Sequence, residues 1–196
     1  MHGTQKIGPF WSHIRNFEDR GHCLHCDTTE TMEHILLCCP QNPSDLIWDL
    51  ARNLWPYAPN LWPQQNLGVL LGCGSIHLPR APHQHQIHVG NAPPHRLRNH
   101  KGASRLLQIL LSESMHLIWV IRCDRAIQGK TYPMDTVRKR WLCTINSRLT
   151  KDRIIATRIK RDKHYLNLAK ATWKLALTAH GRSPNNWPFS GEVFSG

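Results

Sequence analysis

Negative charge is scarce in this chain of 196 residues: thirteen Asp and Glu stand against twenty-five Lys and Arg, a net charge of +12. No Asp-Asp pair occurs, no GxxxxGK[ST] phosphate loop and no GxSxG nucleophile elbow. The adjacent-aspartate motif and the motifs of P-loop nucleotidases and of α/β-hydrolases are therefore missing. No uninterrupted apolar run has the length of a membrane helix, and residues 1–10 hold no apolar segment of the signal-peptide kind, so no membrane is expected as a partner. No alternating polar and apolar run is long enough to mark a strand. Cysteine is odd in number, seven in all, with Cys73, Cys123 and Cys143 each alone in an apolar run. That pattern fits small buried hydrophobes in a reducing, intracellular compartment, nuclear or cytoplasmic, rather than a disulfide framework.

What is present is concentrated near the front. Cys23, Cys26, His34 and Cys39 form a C-x2-C-x7-H-x4-C pattern. Three thiolates and an imidazole are the donor set of a closed, tetrahedral structural zinc site, with no open position for catalysis. Two residues between Cys23 and Cys26 allow a tight turn that aims both sulfurs at one ion. A helix over 31–37 would carry His34, with Cys39 just past its end and Pro40 stopping it. Cys38 is the alternative fourth ligand, and His22 and His25 are alternatives to His34 that crowd the first turn.

Charge divides the chain. Residues 1–60 hold four Lys/Arg and seven Asp/Glu, a net of −3; residues 96–182 hold twenty and five, a net of +15. A polyanion is the natural partner of the second half, through phosphate contacts and counterion release. A solvated helical face is the plainer reading of the same charge.

Helical periodicity runs through most of the sequence. Ile7, Phe10, Trp11 and Ile14 suggest a short lead-in. Asn42 as N-cap, Pro43 at the first helical position and Asp45 in the first turn predict a helix to about residue 54, with Leu46, Ile47, Leu50, Ala51 and Leu54 inward. Trp48 is off that stripe and is expected to pack on the metal module. A short apolar segment over 67–73 is stopped by Gly72 and Gly74. Residues 75–101 hold four prolines and six histidines without a period and read as a linker; His83, His85 and His88 have nothing to fix them as metal ligands. A strongly apolar helix is expected over 103–127, with Leu106, Leu107, Leu110, Leu111, Leu117, Ile118, Ile121 and Ile127 buried and Gly129 ending it. Ser112, Glu113, Ser114 and His116 on it are read as paired polar groups rather than a catalytic set.

The next helix starts near Pro133–Asp135 and continues toward Arg161, with Val137, Trp141, Ile145 and Leu149 inward. Arg138, Lys139, Arg140, Arg148, Lys151, Arg153, Lys160 and Arg161 are its candidate phosphate contacts. A last helix over 165–179 turns Leu166, Ala169, Trp173 and Leu177 inward, and 183–196 is an irregular tail. The expected fold class is mostly α: a helical bundle with an N-terminal zinc-stapled loop-helix module. The expected organisation is 1–74 metal module with following helices, 75–101 linker, 102–182 basic helical region and 183–196 tail.

The run R-G-H-C-L-H-C-D-T-T-E-T-M-E-H-I-L-L-C-C-P over 20–40 resembles the C-terminal zinc-binding region of reverse transcriptases from non-LTR retrotransposons. In that pattern a C-x2-C is followed by an acidic residue, here Glu30 or Glu33, then H-x4-C-P, then a tryptophan in the next helix, here Trp48. The segments I-G-P-F-W from Ile7, L-G-x-L-L-G-C-G from Leu67, S-E-S-x-x-L-I-W-x-x-R-C from Ser112 and R-W-L-x-T-I-N-x-R-L from Arg140 are similar to such proteins of basidiomycete fungi. The resemblance spans nearly the whole chain outside the His/Pro-rich stretch and parts of the tail. It implies a zinc-binding, non-catalytic module, associated with RNA or DNA, of a protein whose polymerase and RNase H are not in this sequence. Its start near Met1 suggests a truncated element or a reading frame that begins inside a longer one. The alternative is a protein-interaction module that docks on the missing reverse transcriptase core.

Overall fold

The computed structural model describes residues 6–23, 25–79, 100–159, 163–182 and 194. Its fold is mostly α, as the periodicities predict. Five helices form the body: α1 (Ser44–Asn53), α2 (Leu67–Leu71), α3 (Lys101–Gln128), α4 (Met134–Arg158) and α5 (Lys163–Ala179). The only strands among the described residues are two short ones, β1 (His22–Cys23) and β2 (Thr28–Thr29), paired antiparallel with His22 opposite Thr29 and Cys23 opposite Thr28.

α3 is the central element, in contact with all four other helices and with the metal module. His100 caps its start by accepting from the Ala103 N–H at 3.2 Å, and Gly129 ends it. Seven of its eight expected inward residues are buried; Ile127 is 49% exposed, because the last turn runs past the core. By length and composition α3 could cross a membrane, which the sequence did not lead us to expect. Of its most apolar 18 residues, 56% are buried within the protein, the pattern of a central helix. Gly102 lets α3 reach α5: a Cβ there would lie 2.4 Å from the Ala171 carbonyl oxygen.

Tryptophans anchor the core. Trp48, Trp141 and Trp173 are fully buried, from α1, α4 and α5. Each indole N–H has a partner: the Leu36 carbonyl at 2.9 Å, Ser114 Oγ at 3.0 Å and Asp152 Oδ2 at 2.7 Å. One apolar cluster runs from Ile35 through Leu177, so residues on both sides of the His/Pro-rich stretch share a core. The ends of that stretch meet: the His100 N–H donates to the Leu78 carbonyl at 2.8 Å, and the Leu78 N–H to Ser104 Oγ at 2.8 Å. The rest of it, including His83, His85 and His88, lies outside the described residues, as does the tail apart from Phe194. Phe194 is buried; its N–H donates to Asn146 Oδ1 at 2.8 Å, and its ring centroid is 6.2 Å from that of Trp173.

Several expectations need revision. Asn42 is not the cap of α1, which starts at Ser44 without a side-chain cap. Leu166 is half-buried, its inward place shared by Thr172 and Ala176. Of the lone cysteines only Cys73 is buried; Cys123 is half-buried and Cys143 exposed, because Cys143 lies across α4 from its apolar stripe. Ser114 and Glu113 on α3 have structural partners in Trp141 and Arg148, and His116 is exposed.

An ion pair between half-buried Arg105 and buried Asp152 joins α3, α4 and α5. Asp152 accepts from Arg105 Nη1 and Nη2 at 2.5 and 2.7 Å, from Trp173 at 2.7 Å and from the Tyr165 hydroxyl at 3.0 Å. Burial alone would raise its carboxyl pKa, but these hydrogen bonds and the Arg105 charge outweigh burial and hold it below the usual range. Asp152→Asn should therefore cost about 2–3 kcal/mol at neutral pH, because it leaves a half-buried guanidinium without its counter-charge. A group with a depressed folded pKa stabilises above its unfolded value, about 3.9, and loses that contribution as pH falls toward the folded value. Denaturant titration should show the gap between wild type and variant at full size above about pH 4 and shrinking below it. A gap independent of pH would contradict the assignment.

Candidate metal centre

The expected ligands come together. Cys23 Sγ, Cys26 Sγ, a ring nitrogen of His34 and Cys39 Sγ all lie within 4.8 Å of one another. Cys23 and Cys39 are buried, with their sulfurs 3.6 Å apart. Cys38 points to solvent, and His22 and His25 are exposed outside the cluster.

Local backbone chemistry explains how. At the first turn, the Cys26 and Asp27 N–H groups both donate to the Cys23 carbonyl, at 3.2 and 2.9 Å. Asp27 sits at φ +49°, a left-handed conformation that Asp tolerates better than most residues, and it reverses the chain into β2. At the second, Thr31 Oγ1 accepts from the His34 N–H at 3.0 Å and starts a helical turn. That turn is not the plain α-helix expected. His34–Cys38 is a π-turn, closed by the Cys39 N–H on the His34 carbonyl at 2.8 Å. The five-residue step to Cys39 is the step the π bond spans, so ligand and hydrogen-bond spacing coincide.

Pro40 has no N–H, and the π bond diverts that of Cys39, so Ile35 and Leu36 lack their usual helical donors. Asn42 Nδ2 donates to the Ile35 carbonyl at 2.8 Å and Trp48 Nε1 to the Leu36 carbonyl at 2.9 Å. This is why Asn42 does not cap α1, and why Trp48, off the apolar stripe, is buried against the metal module.

The centre is tied to α3 through charge. Glu30 is 3% exposed and Arg122 1%. Arg122 Nε donates to Glu30 Oε2 at 2.7 Å, its Nη2 to the same oxygen, and Nη2 also to the Arg20 carbonyl at 2.9 Å. Arg125 stands 3.8 Å from the other Glu30 oxygen. Glu30, not Glu33, is thus the acidic residue that holds the module. Sequence alone did not single out this pair, since its members are 92 positions apart. Beside it lies a cavity of about 160 Å³, lined by Asp19, Arg20, His22, His25 and Arg125 among others.

The electrostatics of the cluster suit a cation. Burial opposes ionisation of Cys23, yet the adjacent His34 ring, the surrounding backbone N–H groups and Cys39 draw its pKa down to about 6. Cys26 is pushed up to about 11, by burial first and then by its sulfur neighbours Cys23 and Cys39. Thiolates at such separations repel, and a bound cation removes the repulsion. His34 Nε2 is buried without a hydrogen-bond partner, an orphan that a metal ion would satisfy.

The candidate phosphate contacts on α4 do not form one open face. Lys139 pairs with Asp135 at 2.7 Å, Arg140 with Asp124 at 3.3 Å, and Arg148 with Glu113 at 3.4 Å. Arg153 is half-buried; Arg138 and Lys151 are exposed with no ion-pair partner among the described residues. Lys160 and Arg161 lie outside the described residues. Comparison with protein-family models, curated proteins and solved structures finds no match.

Cys26→Ser and Cys39→Ser should each lose bound metal, and Cys38→Ser should keep it, as read by the metal-to-protein ratio after gel filtration. Retention in Cys39→Ser with loss in Cys38→Ser would place the fourth ligand one residue earlier.

Proposed function

We propose that this chain is a non-catalytic, zinc-stapled helical module that associates with RNA or DNA through its basic C-terminal half. On the same reading it derives from the C-terminal region of a non-LTR retrotransposon reverse transcriptase of the basidiomycete type. The observation that carries the reading is the three-sulfur, one-nitrogen cluster with its orphaned His34 Nε2. Soft thiolates with an imidazole favour zinc over magnesium or calcium. Zn–S bonds of about 2.3 Å in a tetrahedron put sulfurs about 3.8 Å apart, close to the 3.6 Å between Cys23 and Cys39. Four protein ligands leave no position for a reacting water, so the zinc's part is to hold β1, β2 and the π-turn together.

Nucleic-acid association rests on the +15 carried by residues 96–182. Contacts of this kind go to phosphates and set position without reading sequence. A second reading, a module that docks on a polymerase or RNase H core, is favoured by Ile154, Ile155 and Ile159, which stay 38–45% exposed near the end of α4.

Purified protein should hold one zinc per chain, with an apparent binding free energy in the range of about 10–16 kcal/mol known for structural zinc peptides. Titration of labelled RNA and DNA at two salt concentrations should give affinities that fall steeply with salt, by about 0.7–0.9 logarithmic units per phosphate contact. Zinc with no salt-dependent nucleic-acid binding would favour the docking reading; no zinc at all would remove the staple.

A further inference from the structure

We infer that the phosphate-contacting face of this protein is the lysine stripe of α5, Lys163, Lys170 and Lys174, joined by Lys101 of α3, and that it tracks a nucleic-acid backbone. The inference rests on the nucleic-acid reading above and locates it.

Five acidic residues lie in 96–182. Four are occupied by cations of α3 and α4: Glu113 by Arg148, Asp124 by Arg140, Asp135 by Lys139 and Asp152 by Arg105. The fifth, Asp162, lies outside the described residues. α5 itself contains no Asp or Glu. Lys163, Lys170 and Lys174 are all exposed, with no ion-pair partner among the described residues. α4 pairs Lys139, Arg140 and Arg148 and leaves Arg138, Lys151 and Arg158 exposed, with Arg138 on the side of the helix opposite the other two; the three cations of α5 share one side and meet no carboxylate of their own helix.

Geometry aligns these charges. At about 100° per residue, positions 163, 170 and 174 fall within about 40° of each other, in a line about 17 Å long. That length matches about five nucleotide steps of 3.4 Å along one strand. Lys101 joins the line because its neighbour Gly102 packs onto Ala171, between Lys170 and Lys174. The face presents backbone-binding chemistry alone. Beside the lysines it exposes Asn167, Ala171 and Thr178, with no aromatic ring for base stacking. A lipid-surface helix would need a broad apolar flank, and Leu175 is the only large apolar side chain exposed on α5.

The test compares wild type, a Lys163→Gln/Lys170→Gln/Lys174→Gln variant and an Arg138→Gln/Lys151→Gln variant of α4. All five positions are exposed, and unchanged melting curves would verify the folds. Each protein is titrated with a fluorescent single-stranded RNA, a DNA duplex and phosphatidylserine vesicles across a salt series. The α5 variant should lose about tenfold or more in RNA and DNA affinity at low salt, and its log–log salt slope should flatten by about two to three units. The α4 variant should lose less, and wild type should ignore the vesicles. If wild type binds nucleic acid and the α5 variant binds as well with the same slope, or the α4 variant loses as much, the stripe is refuted and the general reading stands. If wild type binds neither nucleic acid, both fail. Vesicle binding that the α5 variant loses would overturn the assignment to nucleic acid.

Discussion

Arg122 is 1% exposed, in the last third of the longest helix. A guanidinium there is tolerable only if a carboxylate meets it, since an unpaired buried charge is strongly destabilising. Glu30 meets it, and Glu30 is placed by elements that the metal ligands define. Its N–H is held by the Gly21 carbonyl at 2.9 Å, next to the hairpin that starts at His22 and reverses at Asp27. The π-turn with His34 and Cys39 then packs on α3 and α1. Metal cluster, hairpin, buried pair and central helix are therefore mechanically one unit, and the module is not an appendage on a bundle.

A second, partly buried pair, Arg105–Asp152, does for α3, α4 and α5 what Arg122–Glu30 does for the metal module. Both arginines sit on α3, 17 positions apart, and each clamps a different part of the chain to it. Such pairs contribute less to net stability than well-packed apolar residues can, but breaking either one is costly. Their effect is to fix which elements pack together. Lys163, Lys170 and Lys174 of α5, by contrast, have no ion-pair partner among the described residues.

Much of this was legible in the sequence, and the failures share a cause. The clustering of Cys23, Cys26, His34 and Cys39 follows from residue type and spacing, and the burial of Val137, Trp141, Ile145 and Leu149 from period alone; all eight are where expected relative to core or cluster. The π-turn was not foreseen, although Pro40 directly after Cys39 signals that the Leu36 carbonyl loses its helical donor. Asn42 looked like a cap because its local sequence fits one; it serves instead a carbonyl seven residues back. Arg140 and Arg148 looked free because their partners, Asp124 and Glu113, lie 16 and 35 positions away on another helix. Local pattern reports faces and turns, whereas partners across the fold are set by packing that a period does not encode.

The most direct test of the account is hydrogen exchange on the zinc-loaded and chelated protein, followed peptide by peptide. If the ligands, Glu30 and Arg122 form one unit, removing the metal should release protection not only over 20–40 but also along α3 over 117–125, where Arg122 sits. Protection of that stretch unchanged by chelation, with exchange rising only in the ligand loops, would contradict the coupling of metal centre and helical body.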